Sequence, residues 1–349
     1  MKTKKIILWI TLSIIVTSCS VFSKQYGIST VVGREGSFQR EVQMEAKMTD
    51  SLSDIFPYDL SAGWIVTRMD TIHNQDHDPQ TYREITVSKK FTSMNELTLC
   101  PNISFPTPKE TLKKHFRWFY TYYSYTAIYP QVIYKGSVPM EDYLNSTEQK
   151  FFLQGDMSAY RGMNGWELKE VLDDMEGRFM DWFTRTMYEE NYRVIAHFDK
   201  GDFSIQLPAV KDTVFIINKA RMDGTPPGIS DVCKMLDNYL STDYYSKLYA
   251  DKGREMDDCV LDEQRVVTEE FMEYSIQYKL ALPGKIMLSN TDVQNDGVLE
   301  WNVNLLRFLT DDYTLSAESR AVNVWAFVVT LLLVLFSGGC FYKGLHLFT

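Results

Sequence analysis

From residue 37 the chain alternates with period two: Phe38, Arg40, Val42, Met44 and Ala46 fall on one side, and Gln39, Glu41, Gln43 and Glu45 on the other. That alternation predicts a half-buried strand. Similar runs at 64–70 and 82–91 predict two more, joined across His73-Asn74-Gln75-Asp76-His77-Asp78-Pro79, which has the composition of a turn. The stretch 113–129 is the most aromatic of the chain. In it Phe116, Trp118, Tyr120 and Tyr122 alternate with Phe119, Tyr123 and Tyr125, and Pro130 ends it. Large rings on both sides predict one central strand covered on two faces.

Past Gly136 the period changes to 3.6. Ser146 with Gln149, and Asn164 with Glu167, form capping-box patterns that each head a helical run. In the second run Leu168, Val171, Leu172, Met175, Phe179, Trp182 and Phe183 make an apolar stripe, while Glu170, Asp173, Asp174 and Glu176 face away. The stripe is expected to pack on the aromatic strand. Breaks at Gly201, Pro208 and Pro226-Pro227-Gly228 precede another helix from Ile229 and Ser230, with a last helical run over 244–254. Strand periodicity then returns, with Met272, Tyr274, Ile276, Tyr278, Leu280 and Leu282 alternating with polar residues. Pro283-Gly284 turns the chain, Asn295-Asp296-Gly297 signals a hairpin, and 313–319 reads as the last strand. The pattern predicts an α+β fold. An antiparallel sheet or open barrel is built from 37–137 and 262–320, with a helical insertion at 138–261.

The two ends change the picture. Lys2, Lys4 and Lys5 precede an apolar run over 6–16, too short to span a bilayer comfortably, so 1–18 reads as an export signal. Val16-Thr17-Ser18-Cys19 resembles a bacterial lipobox, which implies lipidation at Cys19, with 19–36 as a polar tether. Residues 321–342 carry no charged side chain and are expected to form one C-terminal transmembrane helix, leaving 343–349 as a cytoplasmic tail. An acyl chain and a terminal helix would be the two signals that stable membrane attachment requires. They place the chain at the cell inner membrane with its ectodomain facing the periplasm.

All 46 acidic residues lie between Cys19 and Arg320, and four of the 36 basic ones lie outside, leaving 32 against 46, a net charge of −14. Such a charge argues against nucleic acid as a partner, and membrane contact is expected from anchors or apolar patches, not from a basic face. With Cys19 lipidated and Cys340 in the terminal helix, three thiols remain, Cys100, Cys233 and Cys259. Cys233 and Cys259 are the candidate disulfide pair, and buried free thiols are the alternative.

The C-terminal third carries a further signal. Leu282-Pro283-Gly284-Lys285, Asn295-Asp296-Gly297, Leu299-Glu300-Trp301-Asn302-Val303 and 313–320 before an apolar terminus resemble the LppM-like bacterial lipoproteins. The resemblance covers about 271–342 and implies a lipidated N-terminus, a β-rich ectodomain and a C-terminal helix. It supplies no catalytic residues.

Chemistry is sparse. His73 and His77 with Asp76 and Asp78 are metal-donor types, but Pro79 and the turn composition argue for a loop, and no metal site is assigned. There is no G-x-S-x-G elbow, P-loop or G-x-G-x-x-G after a strand, so no catalytic residue or cofactor is assigned either. Trp118, Tyr120, Tyr122, Tyr123 and Tyr125 form a candidate ligand platform, since such rings combine apolar faces with polar tips, although core packing would explain the same residues. The expectation is a non-enzymatic envelope lipoprotein that binds a lipid, glycan or membrane-protein partner. The alternative is a membrane-tethered hydrolase acting on envelope material.

Overall fold

The computed structural model describes residues 24–73, 81–98, 107–131, 138–201, 207–222, 226–268, 274–291 and 293–346. Cys19, the signal segment, His77 and Cys100 lie outside the described residues. The chain divides into two units. A β unit gathers Ser23–Pro130, Tyr274–Asn304 and Asp312–Thr349, and a helical unit gathers Gln131–Glu273 and Leu305–Asp311.

The β unit contains two sheets, where the alternation suggested one sheet or an open barrel. Strands β1 (Lys24–Val32), β2 (Phe38–Lys47), β3 (Ile65–His73), β4 (Thr81–Phe91), β7 (Tyr274–Ala281), β9 (Gln294–Asn295) and β10 (Val298–Asn304) form the larger, in the order β3-β4-β2-β1-β7-β10-β9. The smaller is β5-β6-β11-β8, from β5 (Lys109–Arg117), β6 (Tyr120–Tyr129), β8 (Lys285–Ser289) and β11 (Tyr313–Val322). Pairing is antiparallel except between β1 and β7, which run parallel with Tyr26 opposite Ile276 and Thr30 opposite Leu280. The tether expected over 19–36 therefore contains a central strand.

Strand β2 follows its alternation residue by residue, with Phe38, Arg40, Val42, Met44 and Ala46 buried and the intervening positions exposed. Phe38 stacks on Phe91 at 4.8 Å, and Phe91 meets Trp64 edge-on at 5.5 Å. Trp64 in turn packs on Phe56, which follows the short helix α1 (Leu52–Ile55), and on Tyr58. Full burial of a ring of this size contributes about 2–3 kcal/mol. The stretch 113–129, expected as one strand, is a hairpin that turns at Trp118 and Phe119. Its β6 arm buries Thr121, Tyr123, Tyr125, Ala127 and Tyr129 on one face only.

The helical unit consists of α2 (Ser146–Gln154), α3 (Gly165–Phe198), α4 (Leu207–Met222), α5 (Ile229–Leu240) and α6 (Tyr244–Thr268). Asn145 caps α2 with Glu148, one residue before the pair expected, because its side chain accepts from the amides of both Thr147 and Glu148. Asn164 and Glu167 cap α3 as the sequence indicates. The α3 stripe, expected against the aromatic strand, has its core partners within the helical unit. Phe179 and Trp182 share a core with Leu144, Phe151 and Phe152 inside the helical unit, and Phe152 lies 5.6 Å from Phe179. A second core joins Tyr188, Ile195, Val214, Val232, Leu236 and Tyr245. Cys233 and Cys259 both adjoin it as free thiols, so the candidate bridge is not formed, and burial pushes the Cys233 thiol up to about 12.

Helix α7 (Val324–His346) follows β11. Among the described residues no helix is long and apolar enough to cross a membrane, which overturns the expected terminal span. Part of the reason is local. β11 takes up Ala321 and Val322, so the helix starts later than the apolar run does.

Candidate functional site

Alternation along β6 divides the five aromatics of the expected platform between two faces. Tyr123 and Tyr125 point into the β unit and are 1% exposed, whereas Tyr120 and Tyr122 stand half-buried on the opposite face. Trp118 sits in the β5–β6 turn and is 45% exposed. These side chains do not converge on one surface, and each group does something different.

Of the inward pair, Tyr123 donates to the Arg34 carbonyl, while Tyr125 belongs to a buried polar network. Arg40, fully buried, donates to both oxygens of Glu110 at 2.7 and 2.6 Å, to Thr30 at 3.1 Å, to Tyr58 at 3.2 Å and to Tyr278 at 2.7 Å. Tyr125 donates to Glu110 at 2.6 Å and lies 2.6 Å from the Tyr278 hydroxyl. All five guanidinium hydrogens are thereby used, as a buried charge requires. Burial opposes both charges, but each outweighs it for the other. Glu110 is held below the usual carboxylate range by Arg40, and Arg40 is held well above its ordinary value by Glu110. Burial also raises Tyr125 and Tyr278, so both stay protonated as donors. The network joins β1, β2 and β7 of one sheet to β5 and β6 of the other. With every group satisfied and enclosed, it acts as a pin between sheets and presents no reacting atom to solvent.

The outward group builds an aromatic collar at the root of α7. Asn323 fixes it: its Nδ2 donates to the carbonyls of Arg117 and Trp118 at 2.9 and 3.2 Å, and its backbone amide donates to Phe119 at 2.9 Å. Thr121 Oγ1 donates back to Asn323 Oδ1 at 2.9 Å, and Trp118 Nε1 donates to Thr330 on α7, also at 2.9 Å. The turn thus lies along the first helical turns. Trp325 stacks on Phe116 at 6.2 Å and meets Trp118 at 5.2 Å, while Phe327 packs on Phe119 at 4.6 Å and on Tyr120 at 6.2 Å. Arg320 lies 4.5 Å over the Tyr120 ring and Arg117 lies 6.0 Å over Tyr122. Phe116, Trp118 and Trp325 keep about half of their surface exposed. Further along α7, six consecutive residues from Leu331 to Phe336 are all exposed, so no side of the helix is covered there by the described residues.

Sequence reading named Trp118, Tyr120 and Tyr122 of this collar. It missed Phe116, Phe119, Trp325 and Phe327 as partners, because their meeting depends on where the hairpin turns and where β11 ends. Among the described residues no group of three or more His, Cys, Asp or Glu is placed to hold a metal ion. In comparisons with known proteins, no family model, curated sequence or solved structure matches this chain.

Proposed function

We propose that this protein is a non-enzymatic, membrane-associated lipoprotein of the cell envelope that binds lipid through the collar and α7, with an acyl chain on Cys19 as its other anchor. The collar is the observation that carries this reading. Half-exposed Trp and Phe rings with arginines stacked on Tyr faces surround the base of a helix whose apolar side chains are uncovered. Amphipathic rings of this kind suit the boundary between headgroups and acyl chains, and the exposed apolar residues from Leu331 to Phe336 extend the apolar surface beside them. The lipobox-like tetrad before Cys19 and the resemblance to LppM-like lipoproteins support the same setting. The enclosure of the Arg40–Glu110 network weighs against a hydrolytic site built on it.

The test is flotation of the full chain, diluted from detergent into phosphatidylcholine vesicles, with tryptophan emission recorded against lipids brominated near the headgroup. The expected result is co-flotation with quenching that falls markedly in W118F/W325F. Protein remaining at the bottom of the gradient would overturn the proposal.

A further inference from the structure

The chain is acidic overall, yet the smaller sheet gathers a cationic face from three separate stretches of sequence. Residues directly opposite each other in an antiparallel pair share a face. Opposite the half-buried Tyr120, Tyr122 and Ser124 of β6 stand Arg117, His115 and Lys113 of β5, and, on the other flank, Val322, Arg320 and Glu318 of β11. Lys285 of β8 lies opposite Arg320 in turn. Lys109, opposite Ile128, ends the β5 row. Against these cations the face sets the single carboxylate Glu318. Lys109, Lys113, Arg117 and Lys285 are exposed, and among the described residues no ion pair engages them or Arg320. Lys114 and Glu110, which point to the other side, are the β5 residues that do pair, with Glu35 and Arg40.

The order of these groups along the sheet points to their partner. Arg117 and Val322 stand in the row next to α7, Arg320, His115 and Lys285 in the following row, and Lys113 in the third. Moving away from α7, the surface changes from uncovered aliphatic residues to aromatic rings, then to guanidinium and ammonium groups. A bilayer changes in the same order, from acyl chains through the interface to phosphate.

We infer that the outward face of β5-β6-β11-β8 is a docking surface for anionic phospholipid headgroups in the bilayer that the collar contacts. This inference rests on the membrane reading above and adds lipid selectivity to it. Each cation near an anionic surface strengthens association about fivefold at moderate salt, so a few of them suffice to give a preference against a net negative chain. Arg117 and Arg320, held over tyrosine faces, are already positioned.

The experiment uses the full chain in vesicles and compares tryptophan quenching by brominated phosphatidylglycerol with quenching by brominated phosphatidylcholine. The wild type is expected to favour the anionic lipid, and the preference is expected to weaken as salt is raised. K109Q/K113Q/K285Q should lose most of the preference while still floating with neutral vesicles and keeping the wild-type melting temperature. Equal quenching by the two lipids in the wild type would overturn the inference and leave the membrane reading intact, whereas failure to float with any vesicle would overturn both. Loss of the preference on adding inorganic phosphate, but not chloride of equal ionic strength, would mark a free-phosphate site and overturn the bilayer assignment.

Discussion

Arg40 and Glu110 meet through two hydrogen bonds of 2.7 and 2.6 Å, a fork that ties β2 of one sheet to β5 of the other. Removing one partner strands the other charge in the interior. Arg40→Met is therefore expected to cost about 3–5 kcal/mol, measured by urea denaturation. A cost under about 1 kcal/mol would mean that Glu110 finds water or another donor when the guanidinium is gone.

The same pair sets part of the acid sensitivity. The folded pKa of Glu110 lies below its ordinary value, so its ionisation contributes stability that is fully present above about pH 4.3 and is lost as pH falls through the folded value. Glu110→Gln should be less stable than wild type at neutral pH and should lack that component of the acid-side slope. Denaturation midpoints recorded from neutral to acid pH check both. Parallel slopes for the two proteins would contradict the assignment.

Gly284 turns β7 into β8 at φ +86°, and a Cβ there would lie 2.4 Å from the Arg320 carbonyl oxygen and 2.6 Å from the Ala321 Cα. Both neighbours are backbone and cannot rotate away. Gly284→Ala combines left-handed strain with a clash and should cost more than about 2 kcal/mol. Gly297, also at positive φ, has nothing within 4 Å of its Cβ position. Gly297→Ala should show the conformational cost alone, about 1–2 kcal/mol, and the difference between their thermal melts measures the clash.

In the helical unit, Phe179 is 5% exposed among Phe152, Trp182 and their neighbours. Phe179→Ala should cost about 3–5 kcal/mol. Asp174, by contrast, pairs at the surface with Arg178, which also holds Glu148 through both of its oxygens. Asp174→Ala should stay within about 0.5 kcal/mol, because an exposed ion pair is screened and Arg178 keeps its other partner. Calorimetric melts of the two variants separate the claims.

Asn323 makes three side-chain hydrogen bonds, with the carbonyls of Arg117 and Trp118 at the β5–β6 turn and with the hydroxyl of Thr121 on β6. Asn323→Ala should leave the sheets paired and loosen the collar, seen as faster amide exchange at the turn residues than in wild type, with exchange in β2 and β4 unchanged. Unaltered exchange at Trp118 and Phe119 would show that ring packing alone holds the turn.

Much of the β unit is legible locally. The β2 alternation names its buried side, and it places Arg40 in that buried row, the one sequence signal of the sheet-joining network. Asn295-Asp296-Gly297 announces its hairpin, realised with Asp296 and Gly297 both at positive φ. What escapes local reading has identifiable causes. The β5–β6 turn holds Trp118 and Phe119 in place of Gly, Pro or Asn, because collar contacts and Asn323 stabilise it where turn propensity does not. β1 holds small residues at Gly27, Ser29 and Thr30 and is polar at its start, and its place in the sheet comes from Ile276, Tyr278 and Leu280 far along the chain. The cationic face has no sequence signature at all, since Lys113, Lys285 and Arg320 become neighbours only through strand pairing.

The parallel pairing of β1 with β7 also governs the order of assembly. Between these neighbours the chain must complete five strands and helices α1 to α6, so that edge of β1 has no partner until nearly four-fifths of the polypeptide has been made. Contacts so distant along the chain form slowly. An emerging chain that stops before β7 would carry β1 as an open strand edge, available to any other extended segment. Until β7 arrives, that edge must be kept apart from other extended segments if the sheet is to close in its native order.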